Sequence, residues 1–161
     1  LDRVGTVVEV PLQHPDDNVD PEHLAAHREH EARYAGVMAR VALVDRHDAM
    51  TFADEAARMF HAAQASPNGP EAIEVGRKNK AMLLAQIAKM VRGVDLEIGG
   101  VDLTAVGGAD LAAILADAHD DLIVGRVAAV ARNAQRPGAA AKNPSASSPS
   151  PSGDASSISA A

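Results

Sequence analysis

Neither cysteine nor tryptophan occurs among the 161 residues, and the aromatic share is 2%, made up of Phe52, Phe60 and Tyr34. Without cysteine, disulfides, thiolate metal sites and cysteine nucleophiles are excluded. So few aromatic rings leave little to stack single-stranded bases. They also demand a core of thin aliphatic side chains, because much of the 47% hydrophobic share is alanine. No apolar run approaches the ~18 residues of a bilayer crossing. Asp2 and Glu9 interrupt the basic-then-apolar pattern of a secretory leader. A soluble, cytoplasmic chain without membrane attachment is the expectation. Serines fall mostly in the carboxyl-terminal tail, and Ser66 lacks a Gly-x-Ser-x-Gly setting. Neither Gly99-Gly100 nor Gly107-Gly108 has the spacing of a phosphate loop. These gaps argue against an enzyme and against a cofactor.

The formal charge is −7, which disfavours nucleic acid unless basic residues cluster locally. The one candidate cluster is Arg77, Lys78, Lys80, Lys89 and Arg92. Its simpler reading is a solvated helix face, and nucleic acid is rejected as a partner. Against it stands the acidic amino-terminal stretch with Asp2, Glu9, Asp16, Asp17, Asp20, Glu22, Glu29 and Glu31. That polarity would let the acidic segment meet the basic helix within one chain or in a neighbouring copy, so a homo-oligomer is left open.

Residues 136–161 are mostly Ala, Ser, Pro and Gly and are expected to be a disordered tail. Residues 1–135 suffice for one domain. The fold class expected is α+β, mainly helical, with about five helices and a small β-hairpin or three-stranded sheet. Val4 to Val10 reads as a strand stopped at Pro11. Asp20-Pro21 opens a helix, and the spacing of Tyr34, Val37, Met38, Val41 and Val44 carries it to about Asp45. Thr51 caps a second helix whose face holds Phe52, Ala56, Met59, Phe60 and Ala63. A third runs from about Pro70 to Arg92, with Leu83, Leu84, Ile87, Met90 and Val91 on its apolar face and Gly93 ending it. Val94, Leu96 and Ile98 alternate with acids ahead of Gly99-Gly100, a two-residue hairpin turn. A fourth helix capped by Asp110 buries Leu111, Ile114, Leu115 and Ala118. A fifth, capped by Asp120 or Asp121, buries Leu122, Ile123, Val127 and Val130.

The histidines His23, His27 and His30 fall within about 60° of arc on a helix, close to Glu31. Three imidazoles and a carboxylate suit zinc or a similar ion, which makes a His-based metal-binding protein the alternative reading. The competing reading is ordinary exposed histidine at a polar helix start. His47-Asp48, and the group Asp117, His119, Asp120 and Asp121, lie where helices meet and fit capping better than ligation.

The stretch Arg92-Gly-Val-Asp-Leu-Glu-Ile-Gly-Gly-Val-Asp-Leu-Thr, followed by Ala109-Asp-Leu-Ala-Ala-Ile-Leu-Ala-Asp-Ala-His-Asp-Asp-Leu-Ile-Val, resembles the end of the small tail assembly chaperones of long-tailed phages. The opening Val4-Gly-Thr-Val-Val-Glu-Val-Pro is similar to their first strand. The similarity spans about a third of the chain, and a His-rich helix follows where that family has further strands. It implies a non-enzymatic protein that binds the tape-measure protein during virion assembly in the bacterial cytoplasm. Thin apolar stripes bury little area, so Phe52, Met59, Phe60, Leu83 and Ile87 are the residues expected to face such a partner. The competing assignment makes these five the core.

Overall fold

The computed structural model describes residues 3–118 and 120–136. The tail expected from 136 on lies, Arg136 apart, outside the described residues, as does His119. In order along the chain come β1 (Val7–Pro11), a 3-10 turn at Pro21–His23, α1 (Leu24–Glu31) and a 3-10 turn at Ala32–Tyr34. Next are β2 (Met38–Ala42), α2 (Arg46–Ala65), α3 (Gly69–Met90) and β3 (Val91–Val94). The hairpin β4 (Glu97–Ile98) and β5 (Val101–Asp102), then α4 (Gly108–Asp117) and α5 (Asp121–Ala134), complete the fold. It is a mainly helical α+β architecture with a three-stranded antiparallel sheet, order β1-β2-β3, and a separate two-stranded hairpin.

The largest correction concerns residues 35–45. Their apolar positions fit a helical period, yet Ala39, Val41 and Leu43 also alternate, and that second pattern prevails. Gly36, at φ 75°, turns the chain out of the helical path after Tyr34, a conformation L side chains rarely adopt. The segment then pairs with β1 on one side and β3 on the other, and Ala39 and Val41 are fully buried. Local spacing was ambiguous, and partners on both edges decided it.

Asp45, not Thr51, caps α2. Its Oδ1 accepts the Asp48 backbone N–H at 2.8 Å, so the helix starts before His47-Asp48 and takes both into its first turn. Further along, α3 stops at Met90 and Val91–Val94 becomes the third strand. Gly93 is therefore a strand residue, not a helix terminator. A Cβ there would overlap the carbonyl oxygen of Thr104, so glycine is what lets the hairpin lie against β3. The Val94 N–H donates to the Leu103 carbonyl, and Gly99 and Gly100 make the turn at φ 59° and 81°. Asp110 sits in the first turn of α4, but Gly107 precedes the helix and no side chain caps it. Asp120 does cap α5, accepting the Ile123 N–H at 3.3 Å. Leu122, expected inside, is 73% exposed.

The buried aliphatics come from the sheet and the residue after β1, the carboxyl end of α3, and the inner faces of α4 and α5: Leu12, Val41, Ile87, Met90, Leu111, Leu115, Val124 and Val127 among them. Ala128, Ala131 and Ala134 let the α5 backbone sit close to its neighbours. No helix among the described residues is long and apolar enough to cross a membrane.

Candidate functional site

A tightly tied polar cluster holds the amino-terminal segment to α5. Arg126 of α5 meets Glu31, the last residue of α1, through two bonds of 2.7 Å, and both side chains are buried. The same guanidinium donates to the Leu12 carbonyl at 3.1 Å and lies 4.1 Å above the Tyr34 ring centre. The His14 backbone N–H donates to Glu31 Oε1 at 2.6 Å. Burial alone would raise the Glu31 pKa, but the Arg126 and His14 hydrogen bonds outweigh it and hold the carboxyl below its ordinary range. Burial, then the charge of Arg126, lowers the His14 pKa. Every acceptor here is engaged within the chain, so the cluster acts as a fastener between β1, α1 and α5.

The metal candidates flank it without converging. His23 lies in the 3-10 turn, His27 and His30 on α1, and His23 and His30 are exposed. The Nε2 of His27 is buried and has no hydrogen-bond partner among the described residues. Among the described residues, the group whose ligand atoms all fall within 4.8 Å of one another is Asp20, Glu22 and His23, each exposed to solvent. Among the described residues the ion pairs of the acidic segment go elsewhere than the basic helix: Asp16 pairs with Arg28, Glu31 with Arg126 and Glu9 with Arg40. On α3, Arg77 pairs with Glu74, and Lys80 with Asp121 of α5.

The five residues expected at a partner surface divide into two sets. Phe52 and Ile87 belong to the core, at 6% and 0% exposure, because their turns of α2 and α3 face the sheet and α5. Leu83 is half-buried at the edge of that core, Met59 is half-buried, and Phe60 is 62% exposed. Met59, Phe60 and Leu83 line one feature, a groove of about 450 Å³ between α2 and α3. Ala56 and Ala63 of α2, and Ala72, Val75 and Met82 of α3, supply the rest of its apolar wall. Small residues on both helices keep the walls low, and Pro67 in the loop between the helices closes one end.

One charged side chain enters the groove: Arg132 of α5. Its Nη1 donates to Gln86 Oε1 at 2.9 Å, and Gln86 in turn donates to the Phe52 carbonyl and to Glu55 Oε1, both at 3.1 Å. The contact is therefore with a neutral amide, one residue short of a carboxylate. Burial lowers the Arg132 pKa and no acidic neighbour offsets it, yet an arginine keeps its charge. A half-buried cation with a neutral acceptor is a standing electrostatic demand.

The chain matches no protein-family model, no curated protein and no solved structure. Function has to be read from the site itself. The sequence reading had named Met59, Phe60 and Leu83 but missed Arg126, Arg132 and Gln86. A signal existed for the arginines. Arg126 stands between Ile123 and Val130 at offsets of three and four, and Arg132 follows Ala128 by four, so both lie on or beside the apolar stripe of α5. A charge in that position calls for a buried partner.

Proposed function

We propose that this protein is a non-enzymatic binding protein that holds another polypeptide in the groove between α2 and α3. The observation that carries the reading is the exposed Phe60 beside Met59 and Leu83, on a chain with so few aromatic side chains. Covering the exposed part of Phe60 would contribute ~1–2 kcal/mol to an association. An aromatic anchor in an apolar trough, with a guanidinium at its floor, is the make-up of an interface centre. The occupant that fits is an apolar helix or extended segment able to offer an acceptor to Arg132.

Within that class, the preferred identity is a tail assembly chaperone that binds a tape-measure protein. The likeness of 92–104 and 109–124 to such chaperones suggests it. The decisive experiment is co-expression with a tape-measure polypeptide, sought among the genes beside this one. The full chain should co-purify with it, while Phe60→Asp and Met59→Asp variants that melt normally should not. Retention by both variants would remove the groove from the account, and a genomic neighbourhood without a tape-measure gene would remove the chaperone identity.

A further inference from the structure

We infer that a second surface, a basin of about 1000 Å³ between the carboxyl end of α5 and the start of α2, binds an acidic, apolar segment of a polypeptide. Four arginines line it: Arg3, Arg46, Arg132 and Arg136. Among the described residues none of the four joins an ion pair, although the chain as a whole carries a net charge of −7. The one carboxylate in the lining, Asp45, is already committed to capping α2 through the Asp48 N–H. The amino end of α2 also points its partial positive charge into the same space. Four cations without an ion-pair partner among the described residues, in a concave site on an acidic protein, constitute a demand for carboxylates or phosphates.

The walls decide between those two. Val44, Ala49 and Met50 form an apolar side, and Met50 is 56% exposed. No aromatic residue is present to stack a base. Phosphate backbones gain nothing from an apolar wall, whereas a segment that alternates Glu or Asp with Leu or Val satisfies both surfaces. The basin is also held in shape before any partner arrives. Gln135 accepts the Val44 N–H at 2.9 Å and donates to the Ala42 carbonyl at 3.1 Å, which fixes the end of α5 against the passage from β2 to α2. Arg132 lines both this basin and the groove between α2 and α3, so one guanidinium borders both surfaces. The inference shares with the proposed function the idea that the ligand is a polypeptide and the side chain of Arg132.

The test is fluorescence anisotropy on the full chain, with a labelled twelve-residue peptide alternating glutamate pairs with leucine. Saturable binding is expected, weakened about tenfold or more as salt rises from about 50 to about 500 mM. The double charge reversal R46E/R136E should weaken it about tenfold or more with no change in the thermal melt, because both side chains are exposed. A peptide with serine in place of leucine should bind markedly less well, and F60D should bind the original peptide as the parent does. Any of the following results overturns the inference. These are no saturable binding, equal binding by R46E/R136E, equal binding of the serine peptide, or stronger binding of duplex DNA than of the acidic peptide. Salt-sensitive self-association abolished by R46E/R136E would likewise overturn it, making a second copy the occupant. Loss of peptide binding in F60D would move the peptide to the groove between the helices. The groove reading stands or falls separately, on the tape-measure co-purification.

Discussion

Replacing Glu31 by glutamine changes one atom and should cost the protein a large part of its stability. The carboxylate accepts from Arg126 Nη1 and Nη2 at 2.7 Å each and from the His14 N–H at 2.6 Å. The Glu31 and Arg126 side chains are 4% and 9% exposed, so water cannot stand in for a lost partner. Glutamine retains one acceptor oxygen and turns an NH2 toward a guanidinium N–H, which leaves the buried cation uncompensated. Breaking one side of such a pair costs ~3–5 kcal/mol, against a total of ~5–15 kcal/mol for a domain. At roughly 4 °C per kcal/mol for a chain of this size, the melting point should fall by about 12–20 °C. Far-UV circular dichroism through a thermal ramp at pH 7 measures this directly. The double variant E31L/R126L should melt above either single variant, since an apolar replacement removes both desolvation costs at once. A Glu31→Gln melt within about 2 °C of the parent, or a double variant no better than the singles, would refute the reasoning.

Three further outcomes follow from the same coordinates. Ile87→Ala, at a site with 0% exposure, should lose ~2–5 kcal/mol in urea titrations, whereas Phe60→Ala at 62% exposure should stay within ~0.5 kcal/mol. Equal losses would place Phe60 in the core. The Glu31 pKa is depressed in the fold, so its contribution is present above its ordinary value of 4.5 and is lost as pH falls through the lower folded value. The His14 pKa is also depressed, from 6.5, so a smaller loss should begin as pH drops below 6.5 and end near the folded pKa. A His14→Gln variant should lack that upper step while keeping the acid one, as read by melting points taken from pH 8 to pH 3.

Much of the fold could be read from residue spacing, and the failures share a cause. The apolar faces of α2, α3 and α4 and the Gly99-Gly100 hairpin were legible because each is set by local periodicity or turn chemistry. The strands Met38–Ala42 and Val91–Val94 were not, since both sit in runs whose spacing also suits a helix. Only the pairing of 38–42 with segments some thirty and fifty residues away settles the matter. Helix starts went astray where an acid lay near two plausible boundaries, as with Asp45 against Thr51. At the candidate site, Met59, Phe60 and Leu83 were visible as an apolar face. Whether Phe52 and Ile87 belonged with them depended on which turns of α2 and α3 meet α5. The fastener of Glu31 and Arg126 and the bridge of Gln86 and Arg132 join residues 95 and 46 positions apart, beyond the reach of any local pattern.

The central claim is that the groove between α2 and α3 holds another polypeptide. Amide hydrogen exchange of the full chain, with and without the tape-measure polypeptide, tests it most directly. The account predicts slowed exchange over 56–67 and 72–83 in the complex, with 108–117 of α4, which does not line the groove, unchanged. Slowing confined to other segments, or none in a complex that demonstrably forms, would contradict it.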